Sequence, residues 1–104
     1  MSDENSTHKD DEFFSMADSY IALANKQSKD AIQGKVSATF LYAAARFNTF
    51  LVAANASSKK EFEKGRESSI EYFVLEYKKM LEEHFTDYVS NFDTYIRAND
   101  KPVN

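Results

Sequence analysis

This chain is predicted to be all-α, on three observations. A stripe of apolar and aromatic residues at helical spacing fills its last third, and two shorter stretches upstream repeat that spacing. No segment alternates apolar and polar residues with period two, and β-branched residues are sparse. The architecture expected is an antiparallel helical hairpin followed by a long C-terminal helix, a three-helix bundle completed by dimerisation.

Residues 1–10 are polar and charged without periodicity, as in a disordered acidic tail. The first helix should begin near Asp10 or Asp11, whose charge suits the positive end of the helix dipole. Phe13, Phe14, Met16, Ala17, Tyr20, Ile21, Leu23 and Ala24 form its apolar arc, with Glu12, Ser15, Asp18, Ser19 and Lys26 opposite. The aperiodic stretch 29–35, which includes Gly34, reads as a reversing loop short enough to make the next helix antiparallel.

The second helix is expected to start with Ser37 as N-cap, Val36 and Leu41 occupying the positions of a hydrophobic staple, and to end near Asn55. Phe40, Ala43, Ala44, Phe47, Phe50, Leu51 and Ala54 share a wide face, and Leu41, Ala45 and Val52 add a second strip. A helix apolar around most of its circumference is central, packed on more than one side.

The third helix opens on Ser58-Lys-Lys-Glu61, a capping-box pattern, and Gly65 makes its beginning the weakest part. Its stripe passes through Phe62, Ile70, Phe73, Val74, Tyr77, Met80, Leu81, Phe85, Tyr88, Phe92, Tyr95 and Ile96. Asn99 and Pro102 mark its end, leaving one helical domain over 11–98 and a disordered C-terminus over 99–104. About 38 residues span roughly 57 Å, against roughly 30 Å for each earlier helix. A second copy of the chain is the economical cover for the surplus, so Met80, Leu81, Phe85, Tyr88, Phe92 and Tyr95 are the predicted interface. The alternative is a break near Glu83 to Asp87 that folds the end back as the fourth helix of a monomeric bundle.

The net charge of −4 is set by residues 1–12, where Asp3, Glu4, Asp10, Asp11 and Glu12 outweigh Lys9; the remainder is neutral. A balanced body with an acidic end offers nothing to a phosphate backbone, so nucleic-acid binding is not expected. The chain has no cysteine, which excludes disulfides and thiol-ligated zinc. An acidic rather than basic and apolar beginning argues against a secretion signal, and the compartment expected is the cytoplasm. The stretch 36–56 is nearly long enough to cross a bilayer, but Arg46 and Asn48 at its middle argue for a protein environment.

His84 lies within the apolar stripe beside Asp87, as a ligand or base would, or as an amphipathic filler between helices. Neither histidine has a Glu three residues before it, which removes the di-iron bundle pattern. Asn25, Arg46, Asn48 and Asn55 border apolar faces and would fix helix register through a polar network; alternatively Arg46 with Tyr42 or Tyr20 lines a small anion pocket. Only two glycines are present, 31 residues apart, so there is no phosphate loop. No nucleophile, base and orienting group form a set. No catalytic residue, metal or cofactor is assigned.

Three segments carry a resemblance: Tyr20-Ile-Ala-Leu-Ala-Asn25, Val36 to Asn48 with its Tyr-Ala-Ala-Ala-Arg-Phe-Asn run, and Glu71-Tyr-Phe-Val-Leu-Glu-Tyr77 through Asn91-Phe-Asp93. Together they resemble the proteobacterial family catalogued as domain of unknown function 3144. The resemblance implies a small helical bacterial protein and brings no activity with it. It draws attention to Arg46 and Asn48 as residues that would share a structural or binding role. The function expected is that of a non-enzymatic homo-oligomerising or protein-interaction module, with an unidentified protein as a further partner. The alternative is a ligand-binding or catalytic bundle with its site near Arg46 or His84.

Overall fold

Among the described residues four α-helices follow one another: α1 (Ser2–Gln27), α2 (Gln33–Asn55), α3 (Lys59–Lys64) and α4 (Arg66–Ser90), with a π-helical turn at Asp93–Arg97. The structure, a computed structural model, describes residues 2–97 and the side chains of residues 10–97. The C-terminus expected to be disordered, 99–104, lies outside the described residues. No strand is present among the described residues.

The helix expected to begin near Asp10 begins at Ser2 instead and takes in the segment read as an acidic tail. Nothing in that segment breaks a helix, since it lacks Gly and Pro. At the other end of α1 the Ser28 hydroxyl and backbone N–H both donate to the Ala24 carbonyl, each at 2.9 Å, satisfying an otherwise orphaned acceptor. The reversal is tight. The Ile32 carbonyl already accepts the N–H groups of Lys35 and Val36, at 2.9 and 3.1 Å, so α2 opens at Gln33. Ser37 is therefore interior to the helix and not its N-cap, and Gly34 belongs to the first turn rather than to a loop. The end of α2 at Asn55 is where the sequence places it.

The chain divides into two compact units, Met1–Leu51 and Val52–Asn104. In the first, α1 and α2 meet through Tyr20 and Phe40, whose ring centroids are 6.4 Å apart. Val36, one turn before Phe40, is 6% exposed and is the one buried residue among those described. Phe40 and Leu51 on α2 are 37% and 42% exposed, and Tyr42 is 68% exposed.

In the second unit, the single long helix expected from Ser58 onward is interrupted twice. Ser58, in extended backbone, accepts the Glu61 N–H on its hydroxyl at 3.1 Å, as the capping pattern requires, and α3 follows. At Gly65 (φ −87°, ψ 3°) the backbone leaves the helix for one residue. Its N–H still donates to the Glu61 and Phe62 carbonyls, and its own carbonyl accepts from Ser69 N–H at 2.9 Å, so hydrogen bonding continues across the break. Gly carries the highest helix cost of any non-proline residue, and the break falls on it. The second interruption is at Asn91, after which the π-helical turn takes over. α4 runs unbroken through Glu83 to Asp87, which removes the four-helix arrangement with a break there. Replacing Ser58 with alanine leaves the Glu61 N–H unsatisfied and is expected to cost about 1 kcal/mol. Thermal unfolding of Ser58→Ala should show a melting temperature lower by several degrees; an unchanged value would mean the cap contributes nothing.

The carboxylates of α4 that point away from the stripe pair along the helix, Lys78 with Glu82 at 2.6 Å and Lys79 with Glu76 at 2.8 Å. These exposed i,i+4 and i,i+3 pairs read as a solvated face. α2 is also long and apolar enough, by length and composition alone, to cross a membrane.

Candidate functional site

Tyr42, Ala45, Arg46, Thr49 and Phe50 line one open furrow along α2. Their i, i+3, i+4, i+7 and i+8 spacing puts them on one side of a single helix. The Thr49 hydroxyl donates to the Ala45 carbonyl at 2.8 Å, fixing its rotamer within this strip. Arg46 and Tyr42 are therefore neighbours, as the anion-pocket reading requires. Tyr20 is not with them, because its ring lies against Phe40. The furrow is a surface strip with no opposing wall.

The remaining candidates do not converge. Asn48 is half-buried, and two residues after Arg46 it lies roughly 200° around the helix, so the two cannot share a ligand on α2. Asn25, near the end of α1, is exposed. His84 is exposed on α4, and the carboxylate of Asp87 that would orient it is engaged elsewhere. Among the described residues no group of three or more His, Cys, Asp or Glu side chains is placed to hold a metal ion.

The best-organised polar cluster lies at the end of α4 and was missed from sequence. The Tyr95 hydroxyl donates to both carboxylate oxygens of Asp87, at 3.2 and 3.1 Å. Asn91 Nδ2 donates to the same carboxylate at 2.9 Å and to the Asp87 carbonyl at 3.0 Å. The rings of Tyr88 and Tyr95 approach to 4.7 Å between centroids. The signal was an acceptor, an amide and a phenol at i, i+4 and i+8, one above another on a helix. The cluster ties the π-helical turn back onto α4 and sets Tyr88 and Tyr95 side by side within the apolar stripe.

The hydrogen bond to Asp87 is the main cause that raises the Tyr95 pKa above the ordinary tyrosine value, with burial and the Asp87 charge adding to it. A raised folded-state pKa means that the contribution of this contact is complete below the unfolded pKa of about 10 and is lost as pH rises through the folded value. In a site-resolved titration the Tyr95 phenol should therefore ionise above the ordinary tyrosine value. Asp87→Asn should lower it, and a Tyr95 titration unchanged by Asp87→Asn would contradict the contact.

These features define the class: a small all-helical protein whose organised side-chain geometry lies at helix ends and along helix faces. The chain belongs to the family described as protein of unknown function (DUF3144), whose model matches residues 13–89. The match covers the chain from Phe13 to within one residue of the end of α4, as the segments quoted above implied. The chain is also similar to a solved structure described as the NMR structure of the protein NB7890A from Shewanella sp, with 34% sequence identity and a TM-score of 0.69 over 84% of this chain and 92% of that one. No curated protein matches the chain.

Proposed function

We propose that this protein is a non-enzymatic, cytoplasmic module that pairs with a second copy of itself, and acts on other proteins through the assembly so formed. The surface of pairing is the stripe of α4 and the turn beyond it: Met80, Leu81, Phe85, Tyr88, Phe92 and Tyr95. The observation that carries the reading is the exposed apolar stripe of α4 and the turn beyond it.

Met80, Leu81, Phe85, Tyr88 and Phe92 are between 40% and 69% exposed, and exposed apolar surface of this extent marks an interaction site. Protein covers α2 better than lipid does, because a central Arg46 costs about 2.5–3.5 kcal/mol in a bilayer and can be paired in a protein interface. Thermal unfolding across a hundredfold range of concentration tests the proposal. An obligate pair melts at a temperature that rises with concentration, and a melting temperature independent of concentration would refute self-pairing.

A further inference from the structure

The interruption of α4 at Asn91 lacks the usual local causes. Residues 91–97 contain neither Gly nor Pro. Backbone bonding of the α type continues across it, Asn91 N–H donating to the Asp87 carbonyl and Tyr95 N–H to the Asn91 carbonyl, each at 3.0 Å. Arg97 and Asp93, 2.8 Å apart, pair at the i,i+4 spacing that suits an α-helix. Yet Asn91 stands at φ −122° and ψ 28°, away from helical values, and the turn that follows is π. A π turn is rare, so the preference of the backbone alone is for α. The side chains supply the bias. On a straight α-helix residues 87 and 95 would lie about 80° apart around the axis and about 12 Å apart along it, more than a phenol reaches back. The Tyr95 hydroxyl instead meets both oxygens of Asp87, at 3.2 and 3.1 Å, and Asn91 Nδ2 shares that carboxylate at 2.9 Å. The rings record the same departure: a straight axis would set Tyr88 and Tyr95 about 10.5 Å apart, and their centroids are 4.7 Å apart.

We propose that Asp87, Asn91 and Tyr95 form a clasp that selects between two registers of the helix end: closed, the π-helical turn; open, an α-helix continued from α4 through Arg97. The inference concerns a single chain and stands whether or not copies associate. Hydrogen bonds to a carboxylate belong to the stronger, charge-assisted class, and the closed register is the one that makes them. The open register keeps the α-type backbone bonds and the Arg97–Asp93 pair, and gives up the contacts of the Tyr95 hydroxyl. Two packings of one segment that differ by so few contacts make a bistable element. Opening changes what the helix end presents. Tyr95, now folded back beside Tyr88, would stand beyond Phe92 and within about 20° of Tyr88 around the axis, prolonging the apolar stripe.

Nuclear magnetic resonance of the full chain tests the clasp. Tyr95→Phe removes the hydroxyl and keeps an aromatic ring, and Asp87→Ala removes the acceptor that both donors share. In the unaltered chain, nuclear Overhauser effects should join the rings of Tyr88 and Tyr95, and the α-carbon shift of Asn91 should lie outside the helical range. Both variants should lose the ring-to-ring effects, and the α-carbon shifts of residues 91–97 should become helical throughout. Unmoved resonances in α1 and α2 establish that the fold is intact, and should one variant unfold the other decides. Variants that keep the ring contact and the Asn91 shift would show that the backbone sets the turn without the clasp. Random-coil shifts over 91–97 in the variants would show that no second register exists. Either result, or an unaltered chain without the ring contact, would overturn the proposal.

Discussion

A chain carrying both Tyr88→Glu and Phe92→Glu is expected to sediment as a monomer at concentrations where the proposal of self-pairing has the unaltered protein paired. Tyr88 and Phe92 are 47% and 53% exposed in the single chain, so a carboxylate at either position meets water there and the helix tolerates it. In the proposed pair the same positions would lie within the apolar interface, where truncating an aromatic anchor costs about 2 kcal/mol or more. Two such losses, with the added cost of desolvating two charges, amount to about 4 kcal/mol or roughly a thousandfold in Kd. Tyr88 also loses its ring contact with Tyr95, 4.7 Å away, which loosens the turn that carries the end of the stripe. Sedimentation velocity with a far-UV spectrum decides the matter. Variant and wild type of equal mass in solution would remove the C-terminal stripe from the interface.

Val36→Ala is the substitution expected to cost most within a single hairpin. Val36 is 6% exposed, while every large hydrophobic side chain of α1 before it is at least half exposed, so the packing of this unit is concentrated near the reversal. Removing two buried methyl groups costs about 0.8 kcal/mol each in transfer, plus a term for the space left behind, giving about 2 kcal/mol. For a domain of this size that corresponds to a drop in melting temperature of roughly 10 °C. Ile32→Ala, at a neighbouring residue 79% exposed, is the control and should stay within about 0.5 kcal/mol. Equal effects at the two positions would mean that Val36 is no more of an anchor than its exposed neighbour.

The helical class was legible because period 3.6 is sustained over most of the chain and nothing competes with it. The cap at Ser58 was legible for a local reason, since a hydroxyl three residues before Glu61 needs no tertiary partner to satisfy an N–H. Boundaries that depend on backbone alone were not. The start of α2 is set by the Ile32 carbonyl, which every residue type supplies equally, so a pattern of side chains pointed to Ser37 instead. Gly65 was recognised as a weak point, yet sequence could not say that the backbone would leave the helix there for one residue. The Asp87, Asn91 and Tyr95 cluster escaped notice because Tyr95 had been read only as an apolar surface, although its hydroxyl is what closes the turn. Tyr42 and Arg46, four residues apart, line the same strip of α2. Grouping Arg46 with Asn48 failed on the same geometry, because two residues carry the chain past half a turn.

The central claim is that the apolar surface of one chain is covered by another. Multi-angle light scattering at micromolar concentration measures this directly. The mass predicted is twice the 11.9 kDa of a single chain, and a mass of one chain would contradict the claim.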